Sequence, residues 1–113
     1  MVWGTGKPSR EFLYVDDAAR GIVMAVLRYN KPGAVNLGSG REIKIKDLVK
    51  LIAGFTGFKG KVVWDKTKPG GQPRRQLDIS KAKKEFGFVS KVDFEAGLKK
   101  TIEWFMNNYK IKR

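Results

Sequence analysis

The chain has 113 residues, which is enough for one domain with a hydrophobic core and leaves little room for a second. Its 24 Lys and Arg residues outnumber its 11 Asp and Glu residues, and the net charge at pH 7 is +13. Such a surplus favours phosphate, nucleic-acid or anionic-membrane partners, but a solvated lysine-rich surface accounts for it equally well. The absence of Cys and His excludes disulfides, thiol chemistry and imidazole catalysis. Because those residues are also the commonest metal ligands, we predict no metal site.

Targeting and membrane signals are missing from the sequence. The first residues contain no apolar stretch of the kind found in a signal peptide, and no apolar run approaches the roughly 20 residues of a membrane-spanning helix. Together with the lack of Cys, this predicts a cytoplasmic protein with no membrane partner.

The first predicted elements are an N-terminal loop over residues 1–10 and a short strand over residues 11–15. Asp16-Asp17 then suits the N-cap and first turn of a helix that runs to about Tyr29. The middle of this helix, residues 22–27, is apolar all round, which is typical of a helix covered on more than one side. So small a chain has few elements to cover it, which indicates a missing layer.

The rest of the chain alternates short extended segments with helices, which favours an α/β fold. The strands are too short and too few for a complete sheet, so we predict a partial domain. The remaining predicted elements are a strand at 34–37, an extended stretch at 43–45, a helix at 47–55 stopped by Gly57, a strand at 61–64, an extended segment at 76–79, a helix at 80–86 closed by Gly87, a helix from Asp93 to about Tyr109, and a frayed tail at 110–113.

Two short basic segments carry the strongest functional signal. The first basic segment, residues 3–12, reads Trp-Gly-Thr-Gly-Lys-Pro-Ser-Arg-Glu-Phe, and the second, residues 68–75, reads Lys-Pro-Gly-Gly-Gln-Pro-Arg-Arg. Arg offers a planar fork of donors to a phosphate, and glycine lets the backbone come close to it. Trp3 adds a ring for stacking, and Arg10 and Arg75 supply cations. Spacing alone leaves phosphate binding and ordinary surface roles equally open.

Signatures of cofactor binding and catalysis fail on their context. Residues 54–60 have the glycine spacing of a dinucleotide fingerprint, but a helix precedes them and a strand follows, which reverses the required order. Gly6-Lys7 is followed by Pro8 and does not form a P-loop, and no Tyr has a Lys four residues later. Asp16-Asp17 are neighbours that do not face each other on a helix. We predict no catalytic, cofactor-binding or metal-binding residue in this chain.

The order of several motifs resembles the C-terminal part of the extended short-chain dehydrogenase/reductases, the NAD(P)-dependent nucleotide-sugar epimerases, dehydratases and reductases. The resemblance implies that residues 1–113 are a substrate lobe that lacks most of its Rossmann domain, including the catalytic Tyr-x-x-x-Lys pair and the NADP or NAD site of the full-length enzyme. It rests on the two basic segments, with the second read on to Asp78, and on Val-Asp-Asp-Ala at 15–18, Val-Asn-Leu-Gly-Ser-Gly at 35–40 and Gly-Leu-Lys-Lys-Thr-Ile-Glu-Trp at 97–104.

The resemblance also implies roles for individual residues. Trp3 and Arg10 would contact a nucleotide-sugar substrate, a GDP-sugar above all, and Arg75 would bind its phosphates. The family often has Asp where this chain has Gly70, which removes a polar contact and leaves sugar and base specificity open. A fragment of this kind would be inactive alone, and the apolar face at residues 22–27 would rest on the missing half. Left uncovered, that face would promote self-association.

Two alternatives from other classes remain. A basic nucleic-acid-binding module would explain the charge of +13, but most of the aromatic residues fall on helical core faces instead of a stacking platform. A stand-alone interaction domain, derived from an epimerase that lost its first half, would not depend on Arg10 or Arg75.

Overall fold

The computed structural model describes residues 1–109, so the predicted tail at 110–113 lies outside the described residues. The described chain has the predicted α/β composition. No helix within it is long and apolar enough to cross a membrane. Its elements, in chain order, are β1 (Val2–Trp3), β2 (Ser9–Glu11), α1 (Val15–Arg28), β3 (Glu42–Lys44), α2 (Ile45–Thr56), β4 (Trp64–Asp65), α3 (Ser80–Phe86) and α4 (Phe94–Asn108).

The strands form two small sheets of two strands each. In the first, β1 and β4 run parallel, with Trp3 opposite Asp65, and the pairing continues where the amide of Gly4 donates to the carbonyl of Asp65 at 2.8 Å. In the second, β2 and β3 run antiparallel, with Arg10 opposite Ile43. The first basic segment begins at Trp3 in β1 and contains all of β2, so each sheet anchors one part of it.

Several strand predictions are wrong. The predicted loop at residues 1–10 contains β1 and most of β2. The predicted strand at 11–15 is displaced to Ser9–Glu11, because β2 ends at Glu11, opposite the first residue of β3. Residues 34–37 and 76–79 pair with no other strand in the described part of the chain. The strand at 61–64 shrinks to Trp64–Asp65, the length over which β1 can pair with it.

The helix predictions are correct to within about two residues at most ends. Gly57 and Gly87 end α2 and α3 in the left-handed conformation, as a C-terminal glycine should. The start of α1 differs from the prediction, because Tyr14 occupies the N-cap and Asp16 and Asp17 lie in the first turn.

The core is small and lies between α1 and α3. Its buried apolar residues are Ala82, Phe86 and Phe88, with parts of α1 and of the extended segment at residues 35–37 packed around them. The opposite side of α1 is exposed, because no other element of the described chain packs against it. Its exposed apolar residues, which we call the α1 apolar face, are Val15, Ile22, Val23, Val26 and Leu27, at 56–78% of their full exposure.

Asp17 is a buried carboxylate that ties α1 to a distant loop. It is 2% exposed and accepts hydrogen bonds from the amides of Lys91 and Val92, at 2.9–3.2 Å, and from the guanidinium of Arg20 at 3.1 Å. Burial would raise the pKa of Asp17, but the two amides and Arg20 more than offset it, so its pKa lies below the ordinary value. The ionised carboxylate therefore stabilises the fold.

We predict that Asp17→Asn lowers the free energy of unfolding by about 2 kcal/mol at pH 7, since a charged acceptor of buried hydrogen bonds is lost. Because the folded-state pKa of Asp17 is depressed, its contribution is complete above the ordinary pKa of about 3.9 and disappears as the pH falls through the lower folded value. Urea unfolding at a series of pH values between 2 and about 7 measures both effects.

Asp16→Asn is the matched control, because Asp16 is exposed in the same helical turn. It should change stability by about 0.5 kcal/mol or less. The assignment to Asp17 is wrong if the two variants lose equal stability, or if the difference between wild type and Asp17→Asn does not shrink as the pH falls.

Candidate functional site

The two basic segments, far apart in sequence, contact each other along much of their length. The ammonium of Lys68 lies 5.5 Å from the ring centroid of Trp3. Further along, the amide of Ser9 donates to the carbonyl of Pro73 at 3.0 Å. The segments therefore form one continuous surface, which we call the basic surface.

Parallel pairing of β1 with β4 produces this contact. It sets residues 64–65 beside residues 2–3, and the chain then continues alongside the first basic segment in the same direction. The approach is close: a Cβ on Gly4 would lie 3.3 Å from the Cα of Gly70. A glycine at position 4 lets the two backbones come together at this point.

Arg10 is partly buried and binds the second basic segment. Its Nη1 donates to the carbonyl oxygens of Ser9 and Gln72, at 2.7 Å each. The sequence predicted Arg10 as a cation presented to a ligand, and nothing in the local pattern pointed to the contact with Gln72. The structure adds a role in holding the loop.

The neighbouring residues Arg74 and Arg75 have different surroundings. Arg74 donates from Nε to the carboxylate of Glu42 and from Nη2 to the amide oxygen of Gln76. The bonds from Arg74, then from Ser9, hold the pKa of Glu42 below its usual range. Arg75 is exposed, and its side chain makes no hydrogen bond or ion pair with the other described residues. Of the two guanidiniums, that of Arg75 is the one whose charge is not paired with a carboxylate among the described residues.

Glu11 is a structural organiser that the sequence analysis did not identify. Its carboxylate accepts hydrogen bonds from the amide of Gly40 at 2.6 Å and from the amide of Leu77 at 3.0 Å. It thereby connects the glycine turn at residues 38–40 to the chain that follows the second basic segment. Alternation along β2 puts the side chains of Glu11 and Arg10 on opposite faces of the strand. That alternation was the one sequence signal that Glu11 and Arg10 have different roles, and it does not identify the hydrogen-bond partners of Glu11.

A cleft of about 610 Å³ lies elsewhere in the described chain. Helices α2 and α4 line it together with β3, and most of its lining is apolar, with an ion pair between Arg41 and Asp93 at 3.8 Å. Trp3, Arg10 and Arg75 do not line this cleft, so the cleft and the basic surface are separate features.

Residues 54–60 do not form a dinucleotide-binding turn. The glycines at residues 54–60 surround the C-terminus of α2, where Gly57 is the cap. A helix C-terminus carries partial negative charge and disfavours a pyrophosphate, whereas a dinucleotide fold presents a helix N-terminus. Within residues 1–109, no three His, Cys, Asp or Glu side chains converge on a possible metal position.

Comparison with known proteins finds relatives of the chain in both sequence and structure. Residues 1–38 match the NAD dependent epimerase/dehydratase family. The chain is 45% identical to the probable GDP-L-fucose synthase 1 of Oryza sativa subsp. japonica, over 96% of the chain and 33% of that protein. In structure it is similar to a GDP-L-fucose synthetase from Naegleria fowleri bound to NADP, with a TM-score of 0.89 and 31% identity over 99% of the chain and 36% of that protein. A UDP-glucose 4-epimerase from Thermotoga maritima with UDP-glucose gives a TM-score of 0.86 and 33% identity, over 95% of the chain and 34% of the epimerase.

These similarities confirm the resemblance to the extended short-chain dehydrogenase/reductases. Within that class, the chain is similar to the GDP-L-fucose synthases of plants and bacteria. It spans about a third of the length of these relatives. None of the relatives named here is described as a nucleic-acid-binding protein, so the comparisons give no support to the alternative based on charge.

Proposed function

We propose that this chain is the nucleotide-sugar-binding portion of an NAD(P)-dependent epimerase or reductase similar to GDP-L-fucose synthase. The observation that carries the proposal is the contact between the two basic segments, in which Arg10 binds the backbone of Gln72. This contact makes one surface from residues that the family resemblance assigns to a single ligand. A GDP-sugar is the favoured ligand because GDP-L-fucose synthases recur among the relatives.

In this proposal the basic surface clamps the diphosphate. Arg75 and the remaining donors of Arg10 bind phosphate oxygens through charge-assisted hydrogen bonds. Trp3, which is 63% exposed beside Lys68, packs against the nucleotide-sugar. Fixing the ligand by its phosphates aligns the sugar for the reaction, and alignment of this kind supplies a large part of enzymatic rate enhancement.

We predict that Arg75→Ala weakens GDP binding about tenfold, since one charge-assisted hydrogen bond to phosphate is worth about 1.5 kcal/mol or more. Arg74→Ala is the matched control, because the charge of Arg74 is already paired with the carboxylate of Glu42. Isothermal titration calorimetry with GDP and UDP measures the affinities of the two variants and of the wild type.

Equal losses in the two variants would contradict a specific role for Arg75. Unchanged GDP affinity in both Arg10→Ala and Arg75→Ala would favour the stand-alone interaction domain. A mixed-sequence oligonucleotide tests the nucleic-acid alternative, which requires tight binding that weakens steeply with salt.

We propose further that the chain transfers no hydride by itself. None of its Tyr residues has a Lys four positions later, and the glycines at residues 54–60 do not suit a dinucleotide. Mixed with NADPH and a GDP-4-keto-6-deoxy sugar, the chain should leave the nicotinamide absorbance unchanged. An NADPH oxidation rate that scales with the concentration of the chain would overturn this proposal.

We also propose that a second copy of the chain covers the α1 apolar face. Five large apolar side chains there are more than half exposed, and burying them would stabilise a dimer by about 25 cal/mol for each Å² removed from water. The net charge of +13 opposes association, so the dimer should strengthen as salt screens the charge.

We predict that Val26→Glu shifts the chain from dimer to monomer, because a buried carboxylate at the interface is costly. Size-exclusion chromatography with light scattering measures the mass. Val63→Glu is the control, since Val63 is also exposed but lies outside α1. A wild-type monomer at high protein concentration and high salt would contradict the proposal.

A further inference from the structure

We infer that Arg10 is a positioning residue that holds the second basic segment in place before any ligand arrives. Its effect on ligand binding rests on the proposed function, whereas its effect on the loop does not. The inference starts from an asymmetry: Arg10 lies on a paired strand, and the residue that it binds, Gln72, lies in a loop with no secondary structure of its own.

Three consecutive loop residues are each held by a different group. The carbonyl of Gln72 accepts a hydrogen bond from Arg10, and the carbonyl of Pro73 accepts one from the amide of Ser9. The side chain of Arg74 pairs with Glu42 on β3. All three holding groups belong to the sheet of β2 and β3, so the loop takes its position from that sheet.

Arg10 is well placed to act as the rigid member of this set. The same Nη1 that binds Gln72 also donates to the carbonyl of Ser9, its own neighbour in β2, at 2.7 Å. The guanidinium is thus fixed to the strand on one side and to the loop on the other. A planar, fully charged donor loses little freedom in such an arrangement.

Gly71 fits the same interpretation. Its φ is +74°, a conformation that side chains with a Cβ rarely adopt, and an added Cβ would lie 2.9 Å from Nη2 of Arg10. The loop backbone therefore passes directly against the guanidinium. Gly87 has the same φ of +74°, but a Cβ there would meet no atom within 4 Å. Comparing substitutions at Gly71 and Gly87 therefore separates the effect of backbone strain from the effect of displacing Arg10.

Fixing the loop determines the position of Arg75, whose unpaired guanidinium directly follows the three held residues. With Arg10 in place, the backbone at Gln72–Arg74 is fixed and Arg75 starts from a defined point. Without it, the two glycines at residues 70–71 give the loop many conformations, and the contact of Arg75 with an anion carries a larger entropic cost.

Hydrogen–deuterium exchange of the ligand-free protein tests the inference. We expect the amide of Ser9, which donates to the carbonyl of Pro73, to exchange about tenfold faster in Arg10→Ala, because a charge-assisted bond that holds the loop against β2 is removed. Arg10→Lys should give a smaller increase, since an ammonium can reach one carbonyl but does not bridge two in a plane. Gly71→Ala should also accelerate exchange at Ser9, whereas Gly87→Ala should leave it unchanged.

A double variant, Arg10→Ala with Gly71→Ala, shows whether the new Cβ acts through Arg10. If it does, exchange in the double variant is no faster than in Arg10→Ala alone; additive effects would mean that backbone strain at residue 71 accounts for the Gly71→Ala result. Circular dichroism verifies that each variant retains its helices.

The outcomes separate this inference from the proposed function. Faster exchange in Arg10→Ala, in a chain that does not bind GDP, supports the positioning role and contradicts the proposed function. Loss of GDP affinity in Arg10→Ala with unchanged exchange overturns the positioning role and leaves Arg10 as a ligand contact alone. If both hold, Gly71→Ala weakens GDP binding severalfold although it removes no charge.

Discussion

Strand β2 is the constraint on which the basic surface depends. Its three residues, Ser9–Glu11, all bind segments that are distant in sequence. Ser9 donates to Pro73 through its amide and to Glu42 through its hydroxyl. The guanidinium of Arg10 donates to Gln72, and the carboxylate of Glu11 accepts hydrogen bonds from the amides of residues 40 and 77. Among residues 1–109 only three apolar side chains are buried, and hydrogen bonds of this kind supply the long-range order that a larger core would otherwise provide.

The basic residues of the chain fall into two groups: those paired with a carboxylate within the fold and those without such a partner. Arg20 and Arg74 are paired with carboxylates that hold distant segments together, and Lys31 is paired with Glu85. Arg75 has no such partner among the described residues, and Lys68 faces the ring of Trp3 instead of a carboxylate. For the proposed function, what matters about Arg75 is that it is unpaired and belongs to the basic surface, and the total of +13 does not reveal this.

Helices were predictable from this sequence because their signals are local. Apolar spacing and the glycines at 57 and 87 fixed α2 and α3 to within a residue or two. The strands were less predictable, since a pairing of two or three residues is decided by a partner elsewhere in the chain. Residues 34–37 were predicted as a strand but pair with no strand in the described chain, and Ser9 precedes the predicted strand at 11–15 yet pairs with Lys44. Similarly, the residue types of the site could be predicted, but the different surroundings of Arg74 and Arg75 could not, because they depend on Glu42.

The two roles of Arg10 are compatible because of the number of donors that a guanidinium carries. It has five N–H groups, and the carbonyls of Ser9 and Gln72 occupy the two on Nη1. The donors on Nε and Nη2 remain, and they lie along the edge that binds a phosphate or carboxylate in bidentate fashion. Lysine, with one ammonium on a flexible stem, could serve the loop or the ligand but would not fix both in one plane. In the proposed function, an arginine at position 10 can therefore order the loop and still offer donors to a ligand.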